Sequence, residues 1–325
     1  MNPTPPGPSP EPNDLVRAID AEALTKSFGS EPDTAPAVRE LSLSVARGER
    51  VAFIGPNGAG KSTSIKMFTG ILRPSSGTVS VLGLVPWRQR RRLAGRIGVL
   101  FGQRSQLLVE LTARQSLRML AAIYGLDRAR EARRIGELGE LLDASDLFDV
   151  PVRTLSLGQR MRCELAAVLL HEPEIVFLDE PTIGLDLLAK RRLRDLLVRL
   201  NDQVGTTIFL TSHDVADIEH VAQRVVVVNT GQVIYDNDVP TLRRGMLATK
   251  LVDIGLARPA PAPDLVGVRI LEHTPTSLSL SIDTNRTTIQ TVLGSVLGSC
   301  DVSDITVTDP PLEQAIAQIF VADPL

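Results

Sequence analysis

The chain is poor in cysteine and has no long apolar run. Of its 325 residues only Cys163 and Cys300 are cysteines, which excludes a disulfide framework and a cysteine-based zinc site. No segment approaches the roughly 18 consecutive apolar residues that cross a bilayer. The N-terminus lacks the basic start and apolar core of a signal peptide. We therefore expect a cytoplasmic protein without a direct membrane span.

The chain also lacks a large excess of either positive or negative charge. Thirty-five Lys and Arg stand against 38 Asp and Glu, so the net charge is −3. This balance gives no general attraction to nucleic acid or to anionic lipid. The run Arg88–Arg92 contains four arginines, but we interpret it as a solvated helix face rather than as a nucleic-acid patch. No nucleic-acid partner is predicted.

What the chain does contain is a glycine-rich motif that fits G-x-x-x-x-G-K-[ST] without a mismatch. The motif and the residue after it read Gly55-Pro56-Asn57-Gly58-Ala59-Gly60-Lys61-Ser62-Thr63. An apolar run precedes it and a helical pattern follows, which is the strand–loop–helix context that the motif needs. The glycines let backbone N–H groups point inward at a helix N-terminus. We expect Lys61 to reach the β- and γ-phosphates of a nucleotide and the Ser62 hydroxyl to bind Mg²⁺.

An acidic pair, Asp179 and Glu180, ends the apolar run 175–178. A carboxylate at the end of a buried strand is costly unless it meets a cation. Asp179 is therefore predicted to be a Mg²⁺ partner, and Glu180 the general base that orients the attacking water. A surface acidic pair is the alternative, but the phosphate loop beside it favours the catalytic interpretation.

With five further segments in the expected order, the chain resembles the ATPase subunits of ATP-binding cassette (ABC) transporters. The resemblance covers residues 20 to about 240. The segments are an aromatic at Phe28, Gln103 within Leu100–Gln106, the signature Leu155–Gln159, Gly184-Leu185-Asp186, and His213 within Thr211–Asp214. Leu157 stands where the family signature has a glycine. The runs 102–106 and 156–162 resemble a bacterial subgroup related to drug-efflux, daunorubicin-resistance-like ATPases.

The resemblance implies roles for single residues. Phe28 would stack on adenine, and Gln103 would contact both the γ-phosphate and Mg²⁺. His213 would bind the γ-phosphate and position water with Glu180. Asp186 would contact the phosphate loop of the opposite subunit.

It also implies partners. Ser156, Gly158 and Gln159 would close on the γ-phosphate of ATP held by a second copy of the chain, so that the working form is a nucleotide-sandwich dimer. A separate integral-membrane permease would carry the substrate, with residues 104–111 as its contact. The chain would then lie on the inner face of the cell membrane, and the drug-efflux resemblance favours export.

The expected fold is an α/β P-loop NTPase with a mostly parallel sheet, an antiparallel β subdomain and a helical subdomain at about 104–165. Six prolines within residues 1–14 predict a disordered tail over 1–18. The ATPase domain is expected over 19–240. Alternating and helical apolar patterns predict a small α+β accessory domain over 241–325.

Two other functions fit parts of this pattern. One is a soluble cassette ATPase that acts on nucleic acid or ribosomes. Such proteins carry two cassettes, coiled coils or zinc modules, and this sequence has one cassette without these insertions. The other is a nucleotide-binding regulator without turnover, which the presence of Glu180 and His213 disfavours. The predicted function is thus ATP hydrolysis coupled to transport.

Overall fold

The computed structural model describes residues 17–28, 35–101, 105–246, 249–260, 265–310, 312, 316–317 and 319–320. By its internal contacts the chain divides into two compact units, Met1–Asp236 and Asn237–Leu325. Within the described residues, no helix is both long enough and apolar enough to cross a bilayer.

The described residues of the first unit form nine strands. In chain order they are β1 (Arg17–Lys26), β2 (Val38–Ala46), β3 (Arg50–Ile54), β4 (Ser76–Val81), β5 (Ile97–Phe101), β6 (Ile175–Asp179), β7 (Thr207–Thr211), β8 (Arg224–Asn229) and β9 (Gln232–Asp238), whose last two residues belong to the second unit. β1 starts inside the range 1–18 that the prolines assign to a tail. The tail prediction is therefore wrong for Arg17 and Ala18, and residues 1–16 lie outside the described part of the chain.

These strands form two sheets. β2, β1 and β4 make an antiparallel sheet in that order. The larger sheet has the order β5-β6-β7-β3-β8-β9, and the five strands from β5 to β8 in that order run parallel. Its central strands are buried almost throughout, as expected when helices cover both faces of a parallel sheet. Thr230 and Gly231, both with positive φ, make the tight turn between β8 and β9.

Seven α-helices accompany these strands among the described residues of the first unit. They are α1 (Lys61–Phe68), α2 (Arg90–Ala94), α3 (Ala113–Ile123), α4 (Arg128–Leu141), α5 (Leu157–Leu169), α6 (Leu187–Val204) and α7 (Val215–Val221). Two short 3₁₀ turns, Ser145–Leu147 and Val152–Thr154, lie between α4 and α5. Helices α3 to α5 fall within, or just beyond, the segment 104–165 that the sequence predicts to be helical.

The core of the first unit positions the phosphate loop. Phe68, at the end of α1, packs edge-on against Phe209 of β7 with ring centroids 5.7 Å apart. Phe209 in turn lies 5.2 Å from Phe53 of β3 and 5.6 Å from Phe177 of β6. Aromatic side chains bury large apolar areas, so this cluster ties α1 to three strands that end beside the loop.

The second unit is a four-stranded antiparallel sheet with helices. Its elements are α8 (Val239–Met246), β10 (Thr249–Leu256), β11 (Val268–His273), β12 (Ser277–Asp283), α9 (Ile289–Ser299) and β13 (Val302–Thr308), with the sheet order β11-β12-β10-β13. Val292 and Val296 of α9 join the alternate residues of β10 and β12 in one apolar cluster. The sequence predicts β12, α9 and β13. Most of the predicted terminal helix, residues 312–320, lies outside the described residues.

Candidate functional site

The glycines of the phosphate loop are required by close backbone contacts. A Cβ on Gly55 would lie 2.2 Å from the carbonyl oxygen of Val228, and a Cβ on Gly60 would lie 2.4 Å from that of Ala37. Gly60 and Gly58 also have φ values of 95° and 85°, which L side chains rarely adopt. Only glycine therefore lets this loop turn tightly between β3 and α1.

The loop leads into a helix end that favours an anion. Gly60 is the N-cap of α1 and supplies no side-chain acceptor, and no acidic residue stands in the first turn, which the structure describes in full. Ser62 and Thr63 lie half-buried in that turn, whereas Asn57 in the loop is exposed. Backbone N–H groups at a helix start carry partial positive charge, so this end of α1 is suited to phosphate.

Lys61 closes the loop with its own side chain. Its Nζ donates to the carbonyl oxygens of Gly55 at 2.7 Å and Pro56 at 3.1 Å. The residue is only 8% exposed. This burial lowers the pKa of Lys61 below its ordinary value, and the negative charges of Glu180 and Asp179 act in the opposite direction. The two carboxylates therefore favour the ammonium form in a place where burial alone would oppose it.

The acidic pair sits at the end of β6, beside the end of β7. Thr211, the last residue of β7, donates from its hydroxyl to Asp179 Oδ1 at 2.7 Å. The backbone N–H of Glu180 lies 3.1 Å from both the carbonyl and the hydroxyl oxygen of Thr211. Glu180 has φ of 57°, a conformation that is strained for a residue other than glycine and is often found at functional sites. Thr211 thus holds the carboxylate of Asp179 and the backbone of Glu180, a role that the sequence does not predict.

The structure brings Glu180 and His213 into contact, although they are far apart in the sequence. Nδ1 of His213 lies 2.7 Å from Oε2 of Glu180. The carboxyl side chain is 18% exposed and the imidazole 62% exposed. A carboxylate at this distance favours the tautomer with its proton on Nδ1. Nε2 can then accept a hydrogen bond from a second partner. This pair can hold a water molecule and accept its proton.

A buried ionic network fixes the segment that carries His213. Arg194 Nε donates to Oδ1 of Asp217 at 2.6 Å. The other carboxylate oxygen of Asp217, Oδ2, accepts from the hydroxyls of Thr182 at 2.5 Å and Ser212 at 2.6 Å. Asp217 is 1% exposed, and its charge is met by a cation and two hydroxyls, as a buried carboxylate requires. The network joins the segment after Glu180 to the segment before His213. The sequence pattern gives no sign of it, because its members come from four separate segments.

The signature residues form the start of α5. Ser156 is its N-cap and accepts the backbone N–H of Gln159 at 3.3 Å, while Gln159 Oε1 accepts the N–H of Ser156 at 2.9 Å. This reciprocal pair is a capping box. Leu157 is 49% exposed, and its Cδ2 would lie 2.8 Å from a Cβ on Gly184. The leucine that replaces the family glycine therefore lies over Gly184.

Signature residues share a groove with Asp186. This carboxylate is the N-cap of α6 and accepts the N–H of Ala189 at 2.8 Å. Ser156, Gly158 and Gln159 line the same groove as Asp186. The predicted site residues thus fall into two groups. One surrounds the phosphate loop, and the other lies between the starts of α5 and α6.

For two further predicted residues, the described contacts do not test the predicted role. Phe28 follows β1 and is 50% exposed, with Lys26 Nζ 5.3 Å from its ring centroid. Adenine stacking by this ring is a prediction that these contacts do not test. Gln103 lies outside the described residues, so its contacts with phosphate and Mg²⁺ also stay predictions.

Comparisons with known proteins agree with this arrangement. A protein-family model described as "ABC transporter" matches residues 38–183. The cobalt import ATP-binding protein CbiO of Rhodobacter capsulatus is 36% identical over 260 residues, which are 77% of this chain and 91% of that protein. The daunorubicin resistance ATP-binding protein DrrA3 of Streptomyces coeruleorubidus is 37% identical over 226 residues, 70% of each chain.

A solved structure gives the same result for the fold. The structure of cbiO1 from Clostridium perfringens, described as part of the ABC transporter complex cbiONQ, matches with a TM-score of 0.64 at 28% identity. The match covers 71% of this chain and 94% of that one. The predicted α/β P-loop fold is confirmed.

Proposed function

Because the chain belongs to the ATP-binding cassette transporter family, we propose that it hydrolyses ATP between two copies of itself and drives export through a separate permease. The predicted resemblance to drug-efflux ATPases is confirmed, and ATPase activity follows from the family. The dimer, the permease and the direction of transport are the proposed parts. The contact between Glu180 and His213 beside the phosphate loop is the observation that carries the hydrolytic mechanism.

The hydrolytic roles follow from the contacts of these residues. Lys61 and the N–H groups at the start of α1 bind the phosphates. Glu180 accepts a proton from the attacking water, and His213 contacts that carboxylate through Nδ1. Thr211 keeps Glu180 in its strained backbone conformation through two hydrogen bonds to the same N–H. The base is thus positioned before the nucleotide arrives.

The described residues also fit a magnesium ion. Asp179, fixed by Thr211 at the end of β6, supplies a carboxylate, and Ser62 supplies a hydroxyl at the start of α1. Oxygen ligands of this type suit Mg²⁺, which retains several water molecules. When bound, the ion would offset phosphate charge during hydrolysis. Gln103 stays a candidate third partner from the sequence alone.

The second copy is supported by the signature group. Ser156 and Gln159 satisfy each other at the start of α5, which leaves the helix end with its partial positive charge toward the groove beside Asp186. A helix end of this kind suits a phosphate. We propose that this phosphate belongs to ATP on a second copy, so that each complete site needs both chains.

A permease is supported by an exposed apolar segment. Leu108 and Val109 are 46% and 44% exposed. They follow Ser105 and Gln106, which line a groove together with Tyr124 and other residues. Exposed apolar residues beside a groove are typical of protein contacts. We propose that a permease binds here and holds the chain at the inner face of the membrane. The resistance role named for the DrrA3 relative favours export, whereas CbiO is named for import.

The dimer is tested with a hydrolysis-deficient variant. Glu180→Gln removes the base but leaves the phosphate contacts, so turnover should fall by about 1,000-fold while ATP still binds. Light scattering should then show dimers with ATP and monomers without it. The control Glu140→Gln changes an exposed glutamate of α4 and should behave as the parent chain. Monomers in an ATP-loaded Glu180→Gln sample would contradict the shared site.

The permease is tested by affinity purification from solubilised membranes. Recovery of a protein with several spanning helices would support the transport proposal. The same experiment with Leu108 and Val109 changed to serine should lose that protein while ATPase activity remains. Recovery of ribosomes or DNA in place of a membrane protein would favour the soluble alternative.

A further inference from the structure

Glu164 is a carboxylate buried in the middle of α5, where only 4% of the residue is exposed. Its neighbours Cys163 and Leu165 belong to the apolar core. Burial of a carboxylate is costly unless the charge is paired and hydrogen-bonded, and an apolar side chain usually stabilises such a position at least as well. The presence of a glutamate here is therefore best explained by what it binds.

Both oxygens of Glu164 hold one short segment outside the helix. The Ser105 hydroxyl donates to Oε1, and the backbone N–H of Gln106 donates to Oε2 at 2.9 Å. Arg160, one turn earlier in α5, places its Nε 3.7 Å from Oε1. The carboxylate thus connects the middle of α5 to residues 105–106.

The segment 105–106 is itself fixed to the large sheet. Gln106 Nε2 donates to the carbonyl oxygen of Val99 in β5 at 2.7 Å. β5 pairs with β6 in a register that sets Phe101 opposite Asp179. A short chain of hydrogen bonds therefore runs from Glu164 to the strand beside the acidic pair. The same segment lines the groove proposed for the permease.

We infer that Glu164 is a positioning residue that makes the signature end of α5 move together with residues 105–106. Ser156 stands eight residues before Glu164, at the start of the same continuous helix, and a helix of this length transmits displacement along its axis. The inference rests on the proposed function, in which Ser156 serves ATP on the second copy and the acidic pair serves the chain's own site. Residues 105–106 connect to the strand beside that pair through Gln106 and Val99. Glu164 then couples the two ATP sites of the dimer.

The test uses the full chain with Glu164→Ala, Glu164→Gln and Ser105→Ala. At a protein concentration low enough to keep the chain monomeric, the ATP affinity of each variant should stay within about twofold of the parent, because no phosphate contact changes. The kcat of Glu164→Ala should fall about tenfold, as expected when coupling between sites is lost. Its Hill coefficient should fall from about 2 to about 1. Ser105→Ala should act in the same direction, and the double variant should add little to Glu164→Ala because the two residues share one interaction.

The matched control is Glu131→Ala. Glu131 is also a poorly exposed glutamate of the helical segment, paired with Arg118 between α3 and α4 at 3.2 Å. Its removal should lower the melting temperature and leave kcat and the Hill coefficient unchanged. An equal loss of cooperativity in Glu131→Ala would overturn the inference, because it would assign the effect to general loosening of the helices.

The outcomes separate the inference from the proposed function. A cooperative parent chain whose Glu164 variants keep kcat within twofold and a Hill coefficient near 2 overturns the inference only. A parent chain that hydrolyses ATP without cooperativity or dimerisation overturns the proposed function, and the inference with it. If Glu164→Ala does not fold, Glu164→Gln and Ser105→Ala decide, since both keep the volume of the core.

Discussion

In the phosphate-loop group, side chains from distant parts of the chain already contact one another. Lys61 binds two carbonyl oxygens of its own loop, and Glu180 contacts His213 across neighbouring strands. In the signature group, Ser156 and Gln159 bind mainly each other at the start of α5. The first group is therefore organised for chemistry within one chain. The second group presents a capped helix end, and its function depends on the molecule that this helix end binds.

A second capping box in the same unit sharpens this contrast. Thr112 and Gln115 at the start of α3 make the same reciprocal hydrogen bonds as Ser156 and Gln159. The cap alone therefore does not mark a functional helix. What sets α5 apart is its position beside Asp186 and the contact between Leu157 and Gly184.

The largest effect is expected in the phosphate-loop group. Lys61→Ala removes a buried ammonium with two hydrogen bonds, and charge-assisted bonds of this kind contribute about 3 kcal/mol. ATP affinity should fall about 100-fold, as measured by titration with a fluorescent nucleotide. Lys66→Ala removes the same charge from the other end of α1 and should change affinity less than threefold. Equal losses in both variants would show that net charge, rather than the loop contact, holds the nucleotide.

A smaller effect should separate the two capping boxes. Ser156→Ala and Thr112→Ala each remove one N-cap and should each lower the free energy of unfolding by about 1 kcal/mol. Only Ser156→Ala should also weaken the ATP-dependent dimer, by about tenfold, when measured in the Glu180→Gln background. Equal dimer affinity in the two variants would remove the distinction between α5 and α3.

The prediction for the leucine of the signature concerns stability alone. Gly184→Ala places a Cβ at φ of 75° and 2.8 Å from Cδ2 of Leu157, so it should destabilise the chain by about 2 kcal/mol. Gly83→Ala is the control, because Gly83 has φ of 73° and its Cβ would meet nothing within 4 Å. Urea denaturation should show a smaller loss for Gly83→Ala. Adding Leu157→Ala to Gly184→Ala should remove the difference. If Gly184→Ala remained the less stable variant in the Leu157→Ala background, the strain would not come from Leu157.

Sequence patterns predicted the elements of the first unit better than those of the second. The buried strands β5, β6, β7 and β8 are short apolar runs, which are recognisable because both faces of a parallel sheet are covered. β11 was not predicted, because five of its six residues are exposed and its apolar residues do not alternate. Thr211 and Asp217 were likewise missed. Thr211 binds Asp179, 32 residues away, and Asp217 binds Thr182 and Arg194, 35 and 23 residues away. Short-range periodicity does not reveal such contacts.

The phosphate loop follows from the sequence alone, because strand, loop and helix start are contiguous there and glycine and lysine act through local backbone geometry. Which carboxylate contacts which partner depends instead on the folded arrangement of strands and helices. β6 and β7 lie side by side in the sheet, so their carboxyl ends bring Glu180 to His213, and the packing of α5 brings Glu164 to residues 105–106. Such contacts depend on strand order and helix packing. Both involve residues that are far apart in the sequence, so they form only when the whole unit has folded.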